Sequence, residues 1–264
     1  MGDFLVVSAA SLAAIAVLIA VTAVAGFRVG RHNVVDVSWG LAFVSVAAAA
    51  AAAGSGEPAR RLVVLVLVTV WGVRLAWHMF IRTRGHGEDP RYTEMLQRGS
   101  GNPTWLAIRK IYLTQALAAW FVSLPIQVAA VSDGPLGWIA FAGILLWIMG
   151  LTFEAVGDYQ LRKFKADPAN RGKVMDRGLW SWTRHPNYFG DACVWWGIFL
   201  IAADVWPGVL TILSPVLMTY FLAFATGGKL LEKHMSERPG YRDYQARVSF
   251  FVPLPPKRKN RERA

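Results

Sequence analysis

Residues 4–26 read FLVVSAASLAAIAVLIAVTAVAG, a run without a charged side chain. A helix needs about 20 apolar residues to cross the hydrocarbon core of a bilayer, so this run predicts a membrane-spanning helix. The preceding Met1-Gly2-Asp3 is acidic where a signal peptide is basic, and the run is too long for a signal peptide's apolar region. We therefore expect this first helix to be retained as a span.

Six further apolar runs follow along the chain. They occupy residues 34–53, 62–81, 110–131, 135–157, 188–205 and 207–226. Together with the first run they predict an all-α polytopic membrane protein with seven transmembrane helices. We expect one seven-helix domain over residues 1–253, followed by a flexible basic tail over residues 254–264.

The composition agrees with this fold class and argues against others. Hydrophobic residues make up 55% of the 264 residues and charged residues only 17%, unlike a disordered chain or most soluble enzymes. The single cysteine, Cys193, excludes an internal disulfide. A formal charge of +11 on so apolar a chain indicates basic loops beside a membrane more than a nucleic-acid binder, so we expect no nucleic-acid partner.

The lysine and arginine residues lie almost entirely in alternate loops. Residues 27–33, 82–110, 158–187 and those after 226 hold 25 of the 28, whereas the opposite loops hold two. Cytoplasmic loops carry an excess of these residues, which predicts an N-terminus outside and a C-terminus inside. We therefore place the protein in the bacterial inner membrane, with its site facing the cytoplasm.

Ionisable side chains occur within the predicted spans, where they are costly and usually functional. They are Asp36, Arg74, His78, Glu154 and Asp191, with Asp158 at a span edge. The predicted orientation places all six in the cytoplasmic half of the membrane, which favours a polar cavity open to the cytosol. An ion pair between Asp36 and Arg74, with the other groups reaching the interface, is the structural alternative.

A charged stripe follows one face of the fifth predicted helix. Glu154 and Asp158 lie four residues apart, and Arg162 and Lys165 continue the stripe. The two carboxylates repel each other unless a cation, a proton or a ligand hydroxyl lies nearby. The stripe therefore either satisfies itself as a helix face or holds ribose hydroxyls with its carboxylates and phosphates with its cations.

The densest polar segment lies at residues 176–197. Pro186 suits the first turn of a helix, which places Arg184 and His185 at an N-terminus that favours anions. The cation, imidazole, amide, phenol and carboxylate of this segment are Arg184, His185, Asn187, Tyr188 and Asp191. This inventory is typical of a ligand site, and the alternative is an ordinary interfacial helix start with aromatic residues at the membrane surface.

The segment 232–256 carries a second set of candidate binding residues. Tyr241, Tyr244 and Arg247 have the chemistry to stack on a nucleotide and pair with its phosphates. An amphipathic helix on anionic lipid explains the same residues equally well.

Several of these motifs together resemble the steroid 5-alpha-reductase and sterol reductase superfamily. The shared residues are Gly178-Leu179-Trp180, the run from Arg184 to Asp191, Glu232, Arg238-Pro239-Gly240-Tyr241, Tyr244, Arg247 and Pro253. Residues 31–40 and 87–92 are similar to an uncharacterised bacterial branch of that superfamily. The resemblance covers residues 28 to 256 approximately, and it is specific to the superfamily but not to a substrate.

The resemblance implies a seven-helix membrane fold that binds NADPH on its cytosolic side and reduces a carbon–carbon double bond, often conjugated to a ketone. The positions implied to lie near the cofactor are Asp158, Arg162, Arg184, His185, Asn187, Tyr188, Asp191, Glu232, Tyr241, Tyr244 and Arg247. One position departs from the pattern, since Met79 follows His78 where the steroid reductases carry a tyrosine that acts on the substrate carbonyl. We therefore consider Asp36, His78 and Tyr92 as proton donors.

Two rival functions fit parts of the same sequence. An isoprenylcysteine-type methyltransferase that uses S-adenosylmethionine resembles the chain in the Arg-His-Pro-x-Tyr block and the Tyr/Pro tail, and a lipid-binding membrane protein without catalysis accounts for the basic loops. The five scattered histidines predict no metal site, and Gly85-His86-Gly87 lacks the context of a Rossmann fingerprint. Hydride transfer to an enone with NADPH is the favoured interpretation, with membrane lipid and a lipid-soluble substrate as partners.

Overall fold

The computed structural model describes residues 2–257, and these residues are mainly helical. The first three predicted spans are confirmed as the helices α1 (Gly2–Val29), α2 (Val34–Ala53) and α3 (Pro58–Thr83). They pack as consecutive hairpins. Where α2 crosses α3, a Cβ on Gly40 would lie 2.4 Å from the carbonyl oxygen of Gly72, so this close approach requires glycine.

The fourth predicted span is not one uninterrupted α-helix. After α4 (Pro90–Gln97), the chain forms α5 (Pro103–Ala107), a π-helical turn (Ile108–Leu113), α6 (Thr114–Val122) and α7 (Leu124–Ala129). Ser123 leaves the helical conformation between α6 and α7. Pro125 follows in the first turn of α7, where its missing N–H costs nothing.

The remaining helices carry the C-terminal half of the chain. They are α8 (Trp138–Ala166), α9 (Pro186–Ala203), α10 (Leu213–Tyr220), α11 (Gly228–Met235) and α12 (Tyr241–Arg247), with a π-helical turn at Phe221–Ala225. Within residues 2–257 the extended pairing is limited to an isolated parallel bridge between Thr183 and Ser249.

Five stretches in the described part of the chain are long and apolar enough to cross a membrane. They are Gly2–Val29, Val34–Ala53, Pro58–Thr83, Trp138–Ala166 and Gly208–Lys233. The predicted spans at 110–131 and 188–205 are not among them, because the first is divided into short segments and the second has polar residues in its first turns. An all-helical membrane protein is therefore supported, with five spans rather than seven by this criterion.

The exposed surface of these helices is apolar, as contact with lipid requires. Leu5, Val17, Leu62 and Leu145 are each at least 60% exposed. Lipid tails replace water around such side chains, so their exposure carries no penalty in a bilayer.

The helices group into two compact units. Unit 1 comprises Met1–Phe141 and Phe199–Ser214, and unit 2 comprises Ala142–Ile198 and Pro215–Ala264. The expected single domain over residues 1–253 stays a prediction. Of the predicted tail, residues 258–264 lie outside the described residues, while Leu254 N donates to Trp182 O and Lys257 N donates to Arg247 O.

Unit 1 is fastened by a buried ion pair between Arg60 and Asp204, 3.0 Å apart. The guanidinium of Arg60 also donates to the carbonyl oxygens of Ile201 and Pro135. Asp204 accepts from the backbone N–H of Gly137, just before α8 begins. A fully buried arginine is tolerated here because its charge is paired and hydrogen-bonded.

Candidate functional site

In unit 2, α8 and α9 approach so closely that their polar residues converge. A Cβ on Gly190 of α9 would lie 2.5 Å from the backbone nitrogen of Glu154 and 2.5 Å from the carbonyl oxygen of Gly150, both on α8. Only glycine allows this separation of the two helices. The crossing places the acidic stripe of α8 beside the polar first turns of α9.

Two residues predicted to contact a cofactor meet at this crossing. Asn187 Nδ2 donates to Asp158 Oδ1 over 3.1 Å, although the two residues are 29 positions apart. Asp158 is 8% exposed and Glu154 and Asp191 are also buried. The side-chain oxygen of Asn187 is buried and has no hydrogen-bond partner. A buried acceptor without a donor is costly, and a ligand hydroxyl or amide N–H is one group that satisfies it.

Arg184, His185 and Glu232, also predicted to bind the cofactor, form a buried hydrogen-bonded cluster with one another. Glu232 accepts from Arg184 Nε at 2.5 Å, from His185 Nε2 at 3.2 Å and from Gln245 Nε2 at 3.1 Å. Arg184 Nη1 also donates to the carbonyl oxygen of Val248. The arginine charge is therefore already neutralised within the protein, and this cluster joins α9, α11 and the segment after α12.

The chain after α12 lies along the segment that precedes α9. Arg184 N donates to Ser249 O at 2.9 Å, and Thr183 Oγ1 donates to Phe251 O at 2.8 Å. Because residues 248–254 make hydrogen bonds with the segment just before α9, they fix the start of that helix.

Tyr241 and Tyr244 lie inside unit 2 and are 2% and 3% exposed. The hydroxyl of Tyr244 donates to Trp180 O at 2.6 Å. Burial raises the pKa of Tyr244, with a further contribution from Tyr241, and burial together with Glu232 raises the pKa of Tyr241. In this structure both rings pack α12 onto the protein, and the predicted nucleotide stacking stays a prediction.

Three further predicted binding residues occupy different environments. Arg162 is exposed at the end of α8, with its guanidinium 5.8 Å from the ring centre of Tyr159. Tyr188 stacks on His185 with the ring centres 5.6 Å apart. Arg247 lies 3.5 Å from Asp176 in a partly exposed ion pair.

In unit 1 the structure joins two of the three predicted proton donors. The hydroxyl of Tyr92 donates to Asp36 Oδ1 at 2.6 Å, and Arg91 lies 3.5 Å from the other carboxylate oxygen of Asp36. Burial raises the pKa of Tyr92, and the neighbouring Asp36 raises it further. His78 is half-buried in α3, next to Met79.

The sequence interpretation did not single out Glu88 as a site residue, although it lies in the quoted motif 87–92. Its carboxylate accepts from Asn33 N at 2.9 Å and from His32 N, in the turn between α1 and α2. Spacing along the chain gives no signal for this contact, because 55 residues separate Asn33 from Glu88. Within residues 2–257 no group of three His, Cys, Asp or Glu side chains is placed to hold a metal ion.

Comparison with known proteins supplies a family without an established activity. The family described as "Protein of unknown function (DUF1295)" matches residues 23–248, so the chain belongs to that family. An uncharacterized protein of Schizosaccharomyces pombe is 25% identical over 224 residues, which cover 74% of this chain and 64% of the relative. A probable O-methyltransferase of Ustilaginoidea virens is 41% identical over 46 residues, which cover 17% of this chain and 16% of that protein.

The chain spans less than two thirds of the length of both relatives. No solved structure matches it.

Proposed function

We propose that this member of the DUF1295 family is an NADPH-dependent membrane reductase of a carbon–carbon double bond, conjugated to a ketone, in a steroid-like or other lipid. The observation that carries the proposal is the hydrogen bond between Asn187 and Asp158. The reductase resemblance implies cofactor contact for both residues. They lie on two different helices and contact each other, and the side-chain oxygen of Asn187 stays without a hydrogen-bond partner.

The residues of unit 2 fit such a cofactor. Asp158 suits a ribose hydroxyl, and the buried oxygen of Asn187 suits an amide N–H or a second hydroxyl. The exposed Arg162 and its neighbour Lys163 offer cations to phosphate. The charges of Arg184 and Glu232 pair with each other. This pair supports the site indirectly, because it holds the start of α9, where Asn187 lies.

When bound, NADPH supplies the hydride that adds to the β-carbon of the enone. The ketone oxygen then gains negative charge, which a hydrogen-bond donor stabilises. Asp36, His78 and Tyr92 stay the proposed candidates for that donor. The hydride transfer would leave NADP⁺, and a proton from solvent, delivered to the α-carbon, would complete the saturated ketone.

The proposal includes the finer topology. Seven spans result if residues 103–129 and α9 also cross the membrane as kinked or short helices. The lysine and arginine distribution supports an N-terminus outside, a C-terminus inside and a site facing the cytoplasm of a bacterial inner membrane.

A second candidate is a methyltransferase that uses S-adenosylmethionine. It is favoured by the 46-residue similarity to a probable O-methyltransferase. Because Glu154, Asp158 and Asp191 are acidic, they also suit the cationic sulfur and the ribose of that cofactor.

Thermal unfolding of the detergent-purified protein with NADPH, NADH and S-adenosylmethionine distinguishes these candidates. A ligand at 100 times its Kd stabilises the folded protein by about 2.7 kcal/mol. We expect a rise in Tm with NADPH that Asn187→Ala and Asp158→Asn diminish, while the matched amide variant Asn170→Ala, in the 3-10 turn Pro168–Asn170 of the same unit, retains it. A rise with S-adenosylmethionine alone would transfer the proposal to the methyltransferase.

A response to none of the three cofactors would favour the lipid-binding alternative over both enzymes. If NADPH binds, consumption of NADPH with a 4-ene-3-ketosteroid and mass analysis of the product test the reduction directly. The saturated ketone, heavier by two hydrogens, is the expected product.

A further inference from the structure

In unit 1, the turn between α1 and α2 is bound to the loop between α3 and α4. Arg31 Nη1 donates to His86 O at 2.6 Å, and Asn33 Nδ2 donates to Gly87 O at 2.8 Å. The carboxylate of Glu88 accepts the backbone N–H groups of His32 and Asn33. The two motifs 31–40 and 87–92, which the sequence presents separately, therefore form one structure.

The position of Glu88 is informative because of where helix α2 begins. Asn33 is the N-cap residue of α2, and its side chain makes no capping hydrogen bond to the helix. Asp36 then occupies the third helical position. In a capping box, the carboxylate at that position reaches back to the N–H of the N-cap residue.

The carboxylate of Glu88, rather than that of Asp36, accepts a hydrogen bond from that N–H. Its Oε1 lies 2.9 Å from Asn33 N, so the helix start is already capped by a carboxylate from another part of the chain. The carboxylate of Asp36 accepts from the hydroxyl of Tyr92, 2.6 Å away.

We propose that Glu88 is a positioning residue, which caps α2 so that the carboxylate of Asp36 stays on Tyr92. Without Glu88, Asp36 takes over the N–H of Asn33 and leaves Tyr92. This inference rests on the proposed function only where it concerns turnover, since the exchange of hydrogen bonds occurs with or without a substrate.

Thermal unfolding of the full-length protein tests the exchange without activity. In the wild type, Tyr92→Phe removes the hydrogen bond to Asp36 and should lower Tm by about 3 °C. In a Glu88→Ala background the same change should lower Tm by no more than about 1 °C, because Tyr92 has already lost its partner. An equal loss in both backgrounds would overturn the proposal, even if the protein proves not to be a reductase.

Steady-state kinetics with NADPH and a 4-ene-3-ketosteroid add the readout that a purely structural role would not move. Glu88→Ala should lower kcat at least about tenfold and leave KM for NADPH within about twofold, since it disturbs Asp36 and Tyr92, two of the three candidate proton donors, and none of the proposed cofactor residues. Glu88→Gln keeps an acceptor oxygen and should recover most of kcat. The matched control is Glu94→Ala, an exposed carboxylate on α4 that pairs with Arg98.

A loss of kcat in Glu94→Ala equal to that in Glu88→Ala would show a general effect of charge and contradict the positioning role. A wild type that binds NADPH but does not reduce the 4-ene-3-ketosteroid would refute the steroid as substrate, and the Tm comparison would still decide the role of Glu88.

Discussion

The side chain of Glu232, which the resemblance implies to lie near the cofactor, holds neighbouring segments of the protein together. It accepts hydrogen bonds from Arg184, His185 and Gln245, and its side chain is only 9% exposed. Removing one partner of a buried ion pair leaves the other charge without compensation, which costs far more than the pair contributes in place.

We expect Glu232→Ala to lower the free energy of unfolding by about 3 kcal/mol, because the charge of Arg184 is then left almost buried and unpaired. Chemical denaturation or thermal unfolding in detergent measures the loss. The control is Glu237→Ala, which removes an exposed carboxylate from the same segment and should change stability by less than about 0.5 kcal/mol. Equal effects of the two variants on stability would contradict the stabilising role of Glu232.

The ionisation of Tyr244 makes the stability of the same region depend on pH. Burial raises its pKa, so the folded protein favours the neutral phenol more than the unfolded chain does. Its contribution to stability is therefore complete below the pKa of an unfolded tyrosine, about 10, and is lost as the pH rises from there through the raised folded value.

Tyr244→Phe should cost about 1 kcal/mol at pH 7, where the hydrogen bond to Trp180 is lost. Above pH 10 the variant should lose stability less steeply than the wild type. Unfolding measured between pH 7 and pH 11 distinguishes the two curves, and parallel curves would show that this phenol does not control alkaline stability.

At the scale of elements, the crossing of α8 and α9 depends on the absence of a side chain at Gly190. A methyl group there would lie 2.5 Å from backbone atoms of both Glu154 and Gly150, and backbone moves less readily than a flexible side chain. The contact between Asn187 and Asp158 depends on the same helix separation.

Gly190→Ala should therefore destabilise the protein by about 1–3 kcal/mol and weaken binding of the cofactor that we propose for Asn187 and Asp158. Gly87→Ala is the matched control, since a Cβ on Gly87 meets nothing within 4 Å. Thermal unfolding with and without NADPH gives both quantities. A stable Gly190→Ala variant with normal binding would refute the dependence of the site on this crossing.

For the whole molecule, the predicted topology is directly measurable because the chain has one cysteine. Replacing this cysteine, the buried Cys193, by alanine gives a protein without cysteine into which single cysteines can be introduced for labelling. We expect Ser55→Cys to react with a membrane-impermeant maleimide in right-side-out vesicles and Ser100→Cys only in inverted vesicles. The opposite pattern would reverse the orientation and place the basic loops outside.

The sequence by itself determined that this is a helical membrane protein, because long apolar runs have no stable place in water and their length is set by the bilayer. The ends of α1, α2 and α3 follow from it closely. It also indicated which segment around Asn187 is dense in polar groups, since such groups are rare near apolar runs.

Only the tertiary structure decided what those polar groups contact. Arg184 and Glu232 lie 48 residues apart and neutralise each other. Glu88 accepts from the N-cap residue of a helix 55 residues before it, and Asp36 accepts from Tyr92, 56 residues after it. Hydrogen bonds act over about 3 Å in space, and local sequence patterns report only neighbours along the chain, so these pairings depend on how the helices pack.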